Sequence, residues 1–596
     1  MIITVDTMYT QVNFKGNTLL REKVHGMAHH ELGVKVDGAF YSRAYKAGVW
    51  DGITDFYDMK EDKFHTGLLQ HFLAGIRKLQ EKDPSITYEL DDIRPPQLVH
   101  PDSLDNPIVL LNGEADPITL IKGDYERGYQ YESVQQVFRE QVGIVNVATN
   151  GGKTEIASAI MQQVLPYLKN GERIAFFTHS KEIFHQSADR VGKRLGLQEK
   201  DIGKIGDGKF DIDNKKIVFV MVPTLISALK DPKKGVKFTA KEQIVKFIAE
   251  NIAPKFQNTV NTRQLLRNYI KNCTLTTKVW KSAEEQLMYI AYDNKFTDKS
   301  AQMQLRKYMA EFDKIMEKKN KTKYNKYKQT MEFMDSVKVM IGDEIHHAKS
   351  DTWYTSLSMC GNAVIRVGLT GTVDKKDKMG WQRLQALFNQ ITIKVSNEYL
   401  IERGISSKPT IRLVPIQEPR DLELVGNYQE AYKRGIVEND VRNEMVSKLA
   451  VAYKKQRPGG ILISVREIDH GNRILELLRA EGLDADFIHG GSDDTHRTGM
   501  LDKFSKGQLD ILLASTIIDE GVDVKSIGCM ILAAGGKSMR QLLQRIGRGL
   551  RLNGIDGNTV IVFDFYDQTN KYLLDHSHER LKVYKEEKFN VKQFGE

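Results

Sequence analysis

Two short stretches hold most of the reactive side chains. In "VMIGDEIHHAKSDTW", Val339–Trp353, an apolar run ends in two adjacent carboxylates, Asp343 and Glu344, with His346 and His347 one residue further on. In "ATNGGKTEIA", Ala148–Ala157, another apolar run opens into a glycine-rich turn followed by Lys153 and Thr154. The turn reads as the start of a helix, where backbone N–H groups of Asn150, Gly151 and Gly152 form a cradle for phosphate. Lys153 would neutralise the β- and γ-phosphates of ATP, and the Thr154 hydroxyl would face Mg2+. A carboxylate ending a strand that neighbours such a loop can hold the metal, and a second beside it can orient the attacking water. Asp343 fits the first role and Glu344 the second. His346 is a poor ligand for Mg2+, which prefers oxygen; His347 reads as a surface residue.

Other stretches fall where the same chemistry needs them. Gln130, in "RGYQYESVQQVF", precedes Lys153 by 23 positions, room for one helix and one strand to bring an amide over adenine. "GLTGT", Gly368–Thr372, ends the strand after the acidic pair and offers hydroxyls beside it. Further on, "ASTIIDEGVDV" ends a strand, and "QLLQRIGRGLR" sets Arg545, Arg548 and Arg551 on one expected helix. Arg548 and Arg551, three apart, share a helix face and could stabilise charge on a transferring phosphate from across a cleft.

These groups need strands to aim them. From Gly143 onward, short apolar runs alternate with helical stretches, the pattern of parallel α/β sheets. The first series is "IVNVA", "RIAFFT", "KIVFVM", "VKVMI" and "RVGLT"; the second is "ILISV", "DFIHG", "ILLAS", "CMILAA" and "VIVFDF". The expected break lies at "RGISSKPTIRL", Arg403–Leu413. The 596 residues exceed what one core supports, and 41% hydrophobic with 28% charged residues is an ordinary globular composition. No apolar run is long enough to span a membrane and no signal peptide is legible, so the expected location is the cytoplasm, the host's if the chain is phage-encoded. Cys273, Cys360 and Cys529 lack the spacing of a disulfide framework or zinc site.

The net charge of +9 is uneven: residues 231–336 hold 22 Lys/Arg against 12 Asp/Glu, a net of +10, leaving −1 for the rest. Lys321, Lys323, Lys326 and Lys328, interleaved with Tyr324 and Tyr327, could contact phosphates and stack on bases. A solvated helical hairpin with its tyrosines in a small core is the competing reading.

The set "ATNGGKT", "DEIHH", "GLTGT", "ASTIIDEGVDV" and "QRIGRGLR" resembles superfamily 2 helicases of the DExH kind, from about Arg127 to the C-terminus. It departs from the usual loop at Val147 and Asn150. The resemblance implies two tandem RecA-like parallel-sheet domains with ATP between them and a nucleic-acid strand across them. It further implies that His346 couples to Gln544, that Gly521 and Asp523 bind the nucleotide with Asp523 near the ribose, and that Thr178, Thr224 and Thr516 contact the strand. "SRAYKAGVWDGITDFYDMKEDKFHTGLLQHFLAGI" resembles the small accessory domain of phage recombination helicases of the UvsW type, implying contact of Trp50 with duplex DNA near a branch. On charge alone residues 1–80, with 10 basic and 9 acidic groups, would equally suit a small packing module with Trp50 in its core.

The expected organisation is an α/β chain with an α+β accessory domain at 1–95, a linker at 96–122, an ATP-binding RecA-like domain at 123–405 with a basic helical insertion at 231–336, and a second RecA-like domain at 406–596. The expected function is ATP-dependent DNA helicase or translocase acting on Holliday junctions, D-loops and stalled forks, with ATP and Mg2+ as cofactors. Expected partners are branched or forked DNA, single strands, and phage or host recombination and replication proteins. An RNA helicase and a non-catalytic nucleic-acid scaffold are the alternatives; intact Lys153, Glu344 and Arg548 argue against the scaffold.

Overall fold

The computed structural model describes the chain except residues 112–116, 122–127, 231, 233–235, 458, 516–526, 537–558 and 594–596. It divides into two compact units, Met1–Thr224 with Ser336–Glu596, and Leu225–Asp335.

In the first unit, runs such as "RIAFFT" are buried at nearly every position, which requires cover on both sheet faces and so a parallel sheet. The larger sheet has eight strands in the order Lys209–Asp211, Ile202–Gly206, Ile217–Met221, Arg173–Thr178, Val337–Asp343, Ile365–Thr370, Val142–Val147 and Ile391–Val395. Every pair is parallel except the edge hairpin of Ile202–Gly206 with Lys209–Asp211. The second sheet is wholly parallel: Ala485–Ile488, Ile511–Ala514, Gly460–Ser464, Ile527–Leu532, Thr559–Asp567, Lys408–Ile416 and Asn590–Gln593. The molecule is thus α/β with two tandem sheets of the RecA-like kind.

One expectation about the order of strands needs correction. The strand ending at Asp343 does not adjoin the phosphate-loop strand; Ile365–Thr370 lies between them and pairs with both. Hydrophobic runs identify strands but not their spatial neighbours. The edge strands around Gly203, Gly206 and Gly208, and Lys408–Ile416 with its two prolines, carry composition that reads as loop.

The N-terminal sheet, ordered Tyr57–Asp58, Lys63–His65, Tyr9–Asn13, Ile2–Val5 and Glu89–Asp92, packs on the helices Thr18–Leu32 and Leu69–Lys82. Polar bonds fasten it to the eight-stranded sheet. The His65 ring engages Ser358 Oγ at 2.9 Å and Tyr354 Oη at 2.8 Å, and buried Arg366 donates to the Thr7 carbonyl. Burial lowers the Arg366 guanidinium to about 10.

The second unit is helical among its described residues, with helices Ala240–Asn251, Thr262–Asn272 and Lys278–Tyr292 and the stretch Asp298–Ser336, broken at Asn320 where φ is −151° and ψ is 49°. Tyr324 packs beside Val245, Ala249, Phe312 and Met316 and donates its hydroxyl to Asp313, so this ring belongs to the unit's own core. Lys321, Lys323, Lys326 and Lys328 are exposed.

In the second sheet's domain, Arg442 is buried with Asp567 at 2.9 Å and donates to the Ala533 carbonyl at 2.7 Å. Arg580 holds Asp564 at 2.8 Å and the Gly536 carbonyl at 2.8 Å. Together they clamp the backbone that leaves strand Ile527–Leu532. Arg442→Ala would leave the buried Asp567 carboxylate with only the more distant Arg580, at 3.9 Å, so the chain should lose about 3–5 kcal/mol of stability, read by urea unfolding.

Two buried histidines give the fold an acid limit. Burial first, then neighbouring cations (Arg366 and Lys63 for His65, Arg442 and Arg473 for His470), pushes His65 and His470 down to about 3. Each folded value lies below the ordinary 6.5, so the unfolded chain takes the proton first. Stability should be full above about pH 6.5 and fall toward pH 3 by up to about 1.4 kcal/mol per unit for each ring. Thermal unfolding across this range should show the decline, and His65→Gln, less stable at neutral pH, should show a shallower one.

Candidate nucleotide site

The strand Val142–Val147 runs into the turn Ala148–Gly152, and the helix Lys153–Val164 follows. Asn150, at φ 72°, and Gly152, at φ 78°, take left-handed backbone, which turns successive N–H groups inward. A Cβ at Gly152 would meet Gln130 Nε2 at 2.3 Å, so only glycine fits there. No side chain caps this helix, leaving its first N–H groups for an anion.

The turn is anchored from the helix Gly128–Glu140. Tyr129 Oη and Gln130 Nε2 both donate to the Gly151 carbonyl, at 2.9 and 3.1 Å. Gln130 is 2% exposed, and its Oε1 has no hydrogen-bond partner among the described residues. A buried acceptor left open beside a phosphate-type turn suits the exocyclic amine of a purine. Sequence reasoning missed Tyr129, an aromatic beside the noticed glutamine.

Lys153 Nζ lies 3.4 Å from the Val147 carbonyl and 3.8 Å from Glu344 Oε1, both ends half-screened from solvent. Asp343 is 8% exposed, and its Oδ1 accepts the Glu344 N–H at 3.0 Å. Glu344 adopts φ 46°, ψ 51°, a conformation that costs a residue with a side chain about 1–3 kcal/mol. Its other oxygen faces His346 Nδ1 at 3.2 Å, and the His346 side chain is 3% exposed. Gly371 approaches from the intervening strand, where a Cβ would sit 3.6 Å from Lys153 Nζ. Thr370 Oγ1 is occupied with the Thr372 backbone, donating to its carbonyl at 2.9 Å. The structure therefore brings Gln130, Asn150, Gly151, Gly152, Lys153, Asp343, Glu344 and His346 to neighbouring strand ends, with Thr154 in the first turn of the loop helix. Among the described residues there is no cluster of three or more metal-ligating side chains, so a cation here would rely on phosphate oxygens beside Asp343 and Thr154.

The expected strand contacts fare differently. Thr178 ends its strand fully buried, and its hydroxyl reaches no solvent, which corrects the expectation of a direct contact. The residues that follow are half-buried: Ser180 caps the helix Lys181–Leu195, and Glu182 on it pairs with Arg497 of the second sheet's domain at 2.9 Å. His347, expected at the surface, stacks on His179 with centroids 4.0 Å apart and planes 11° apart. Thr224 is half-buried in the helix Val222–Ala228. Trp50 is half-buried, with its indole N–H on the Ile53 carbonyl at 2.6 Å. Thr516, Gly521, Asp523, Gln544, Arg545, Arg548 and Arg551 lie outside the described residues.

Residues 125–246 match the domain family "Type III restriction enzyme, res subunit", and 442–553 match "Helicase conserved C-terminal domain". Over 282 residues the chain is 27% identical to the ATP-dependent DNA helicase uvsW of Enterobacteria phage T4, covering 44% of this chain and 55% of that one. Over 107 residues it is 32% identical to the ATP-dependent rRNA helicase rrp-3 of Neurospora crassa, covering 18% and 21%. The chain thus spans about half or less of the length of these relatives. The crystal structure of T4 UvsW aligns over 100% of this chain and 99% of that one, at 18% identity and a TM-score of 0.38. Among the described residues no helix is long and apolar enough to cross a membrane. By its two matched domains and its phage relative, the chain resembles superfamily 2 helicases of the UvsW type.

Proposed function

We propose that this chain is an ATP-driven DNA helicase or translocase that remodels branched DNA: junctions, D-loops and stalled forks. One observation carries the reading: Lys153 of the glycine-rich turn and Glu344 of the acidic strand end face one another at 3.8 Å, from strands separated by one other. A phosphate-binding cation and a carboxylate base in that relation form the core of a nucleoside triphosphatase.

In this reading the N–H groups of the turn and Lys153 hold the β- and γ-phosphates, and the Gln130 amide meets adenine. Thr154 and Asp343 hold Mg2+, which supplies charge neutralisation on the phosphates when bound. Glu344 orients the attacking water and takes its proton, while His346 fixes the carboxylate from its far side. Arg548 and Arg551 act on the developing phosphate charge. The DNA helicase activity of the T4 relative favours DNA as the track, whereas the Neurospora rRNA helicase keeps an RNA helicase as a second reading.

Glu344→Gln should keep nucleotide binding and lower turnover by about 10²- to 10⁴-fold, the usual contribution of a general base. Lys153→Ala should instead weaken nucleotide binding itself. Fluorescent-nucleotide titration and phosphate release on the two variants separate the roles, and turnover by Glu344→Gln near the parent rate would remove the assignment.

A further inference from the structure

The N-terminal domain carries an aromatic surface that the nucleotide chemistry does not use. Phe40 is 56% exposed, Tyr41 74% and Tyr45 39%, on two consecutive short turns, Ala39–Tyr41 and Arg43–Lys46. The Phe40 and Tyr41 rings lie together, with centroids 4.1 Å apart at 40°. Isolated exposed apolar side chains are ordinary, but adjoining rings held on a turn form a patch.

The turn is built rather than loose. Ser42 Oγ accepts the Tyr45 N–H at 3.2 Å, and the Val49 and Trp50 N–H groups donate to the Ala44 carbonyl at 3.0 and 3.3 Å. Gly52, at φ 85°, lets the chain close: a Cβ there would lie 3.0 Å from Ala39 Cβ and 3.1 Å from the Tyr45 ring. Trp50 serves this closure through its bond to Ile53. Holding the rings in place before any ligand arrives removes an ordering cost that flexible side chains would meet on binding.

Exposed charges of both signs flank the rings, Asp37 before them and Arg43 and Lys46 after. Arg43 and Lys46 are exposed and form no ion pair among the described residues. The neighbouring acids Asp51 and Asp55 are already held by His29, at 2.8 and 2.7 Å. Free cations beside exposed rings are the combination that binds a single strand, phosphates to the cations and bases to the rings. Duplex bases are stacked on one another and offer no face.

We propose that Phe40 and Tyr41, flanked by Arg43 and Lys46, form a stacking platform for unpaired bases of DNA at a branch. The platform rests on the helicase reading and assigns the accessory domain to the opened strand of the branch. It also moves the contact from Trp50, which closes the turn, to the rings beside it.

Full-length protein without nucleotide, titrated by anisotropy against a fork with unpaired arms and a blunt duplex of equal length, tests the proposal. Phe40→Ala with Tyr41→Ala should weaken fork binding by about five- to 140-fold, the range of stacking one base on an aromatic ring at 1.4 kcal/mol per tenfold. Blunt-duplex affinity and the salt slope should stay as in the parent, and Phe40→Trp with Tyr41→Trp should restore fork binding. Arg43→Gln with Lys46→Gln should flatten the salt dependence by up to about 0.7 in log–log slope per lost contact. Unchanged fork affinity in the alanine variant overturns the platform and leaves a protein-docking surface as the reading of the patch; equal loss on fork and duplex also overturns it. A parent chain with neither DNA binding nor DNA-stimulated ATPase would instead overturn the helicase reading beneath it.

Discussion

Glu344 is held in left-handed backbone, with its N–H on Asp343, one carboxylate oxygen toward Lys153 and the other toward His346. Two consecutive acids leaving a strand in ordinary extended geometry would point to opposite faces of the sheet. The strained residue lets both address one site, and the surrounding sheet must supply the about 1–3 kcal/mol that such backbone costs. The parallel order of Arg173–Thr178, Val337–Asp343, Ile365–Thr370 and Val142–Val147 does so, because strands running one way deliver their C-terminal ends, and the turns after them, to one edge. The glycine-rich turn needs the same edge, and Tyr129 and Gln130 fix it there through a single carbonyl.

Much of this was legible in the sequence because the chemistry is local. Lys153, Thr154, Asp343 and Glu344 sit where an apolar run ends, and the run and its ending are both visible in one stretch. What was not legible depends on distant partners. The interposition of Ile365–Thr370 follows from sheet order, which no single run encodes. Thr178 reads as a polar residue at a strand end, yet the fold buries it completely. His347 reads as a surface residue until His179 arrives from the adjacent strand. Arginine reads as solvated, so Arg442 and Arg580 carried no signal of the buried carboxylates they hold. The strand Ile202–Gly206, next to the sheet edge, was hidden by its glycines, and Lys408–Ile416 by its prolines.

The N-terminal sheet shows the same division. Its Trp-Asp-Gly turn was visible, but the sequence placed the interest on Trp50, whereas the fold commits that ring to closing the turn and exposes Phe40 and Tyr41 instead. Its attachment to the domain of the eight-stranded sheet combines apolar packing on Ala386, Tyr354 and Met379 with polar contacts of His65, Thr7 and Arg366. Buried polar contacts of this sort are strongly directional, which suits a small domain that must keep one orientation on a larger one.

The most direct measurement is steady-state ATP hydrolysis by the purified chain, alone and with forked DNA, single-stranded DNA, blunt duplex and RNA side by side. The account predicts magnesium-dependent turnover that rises with DNA, most with the fork, and rises least with RNA. A folded chain that hydrolyses no ATP under any of these conditions would contradict it.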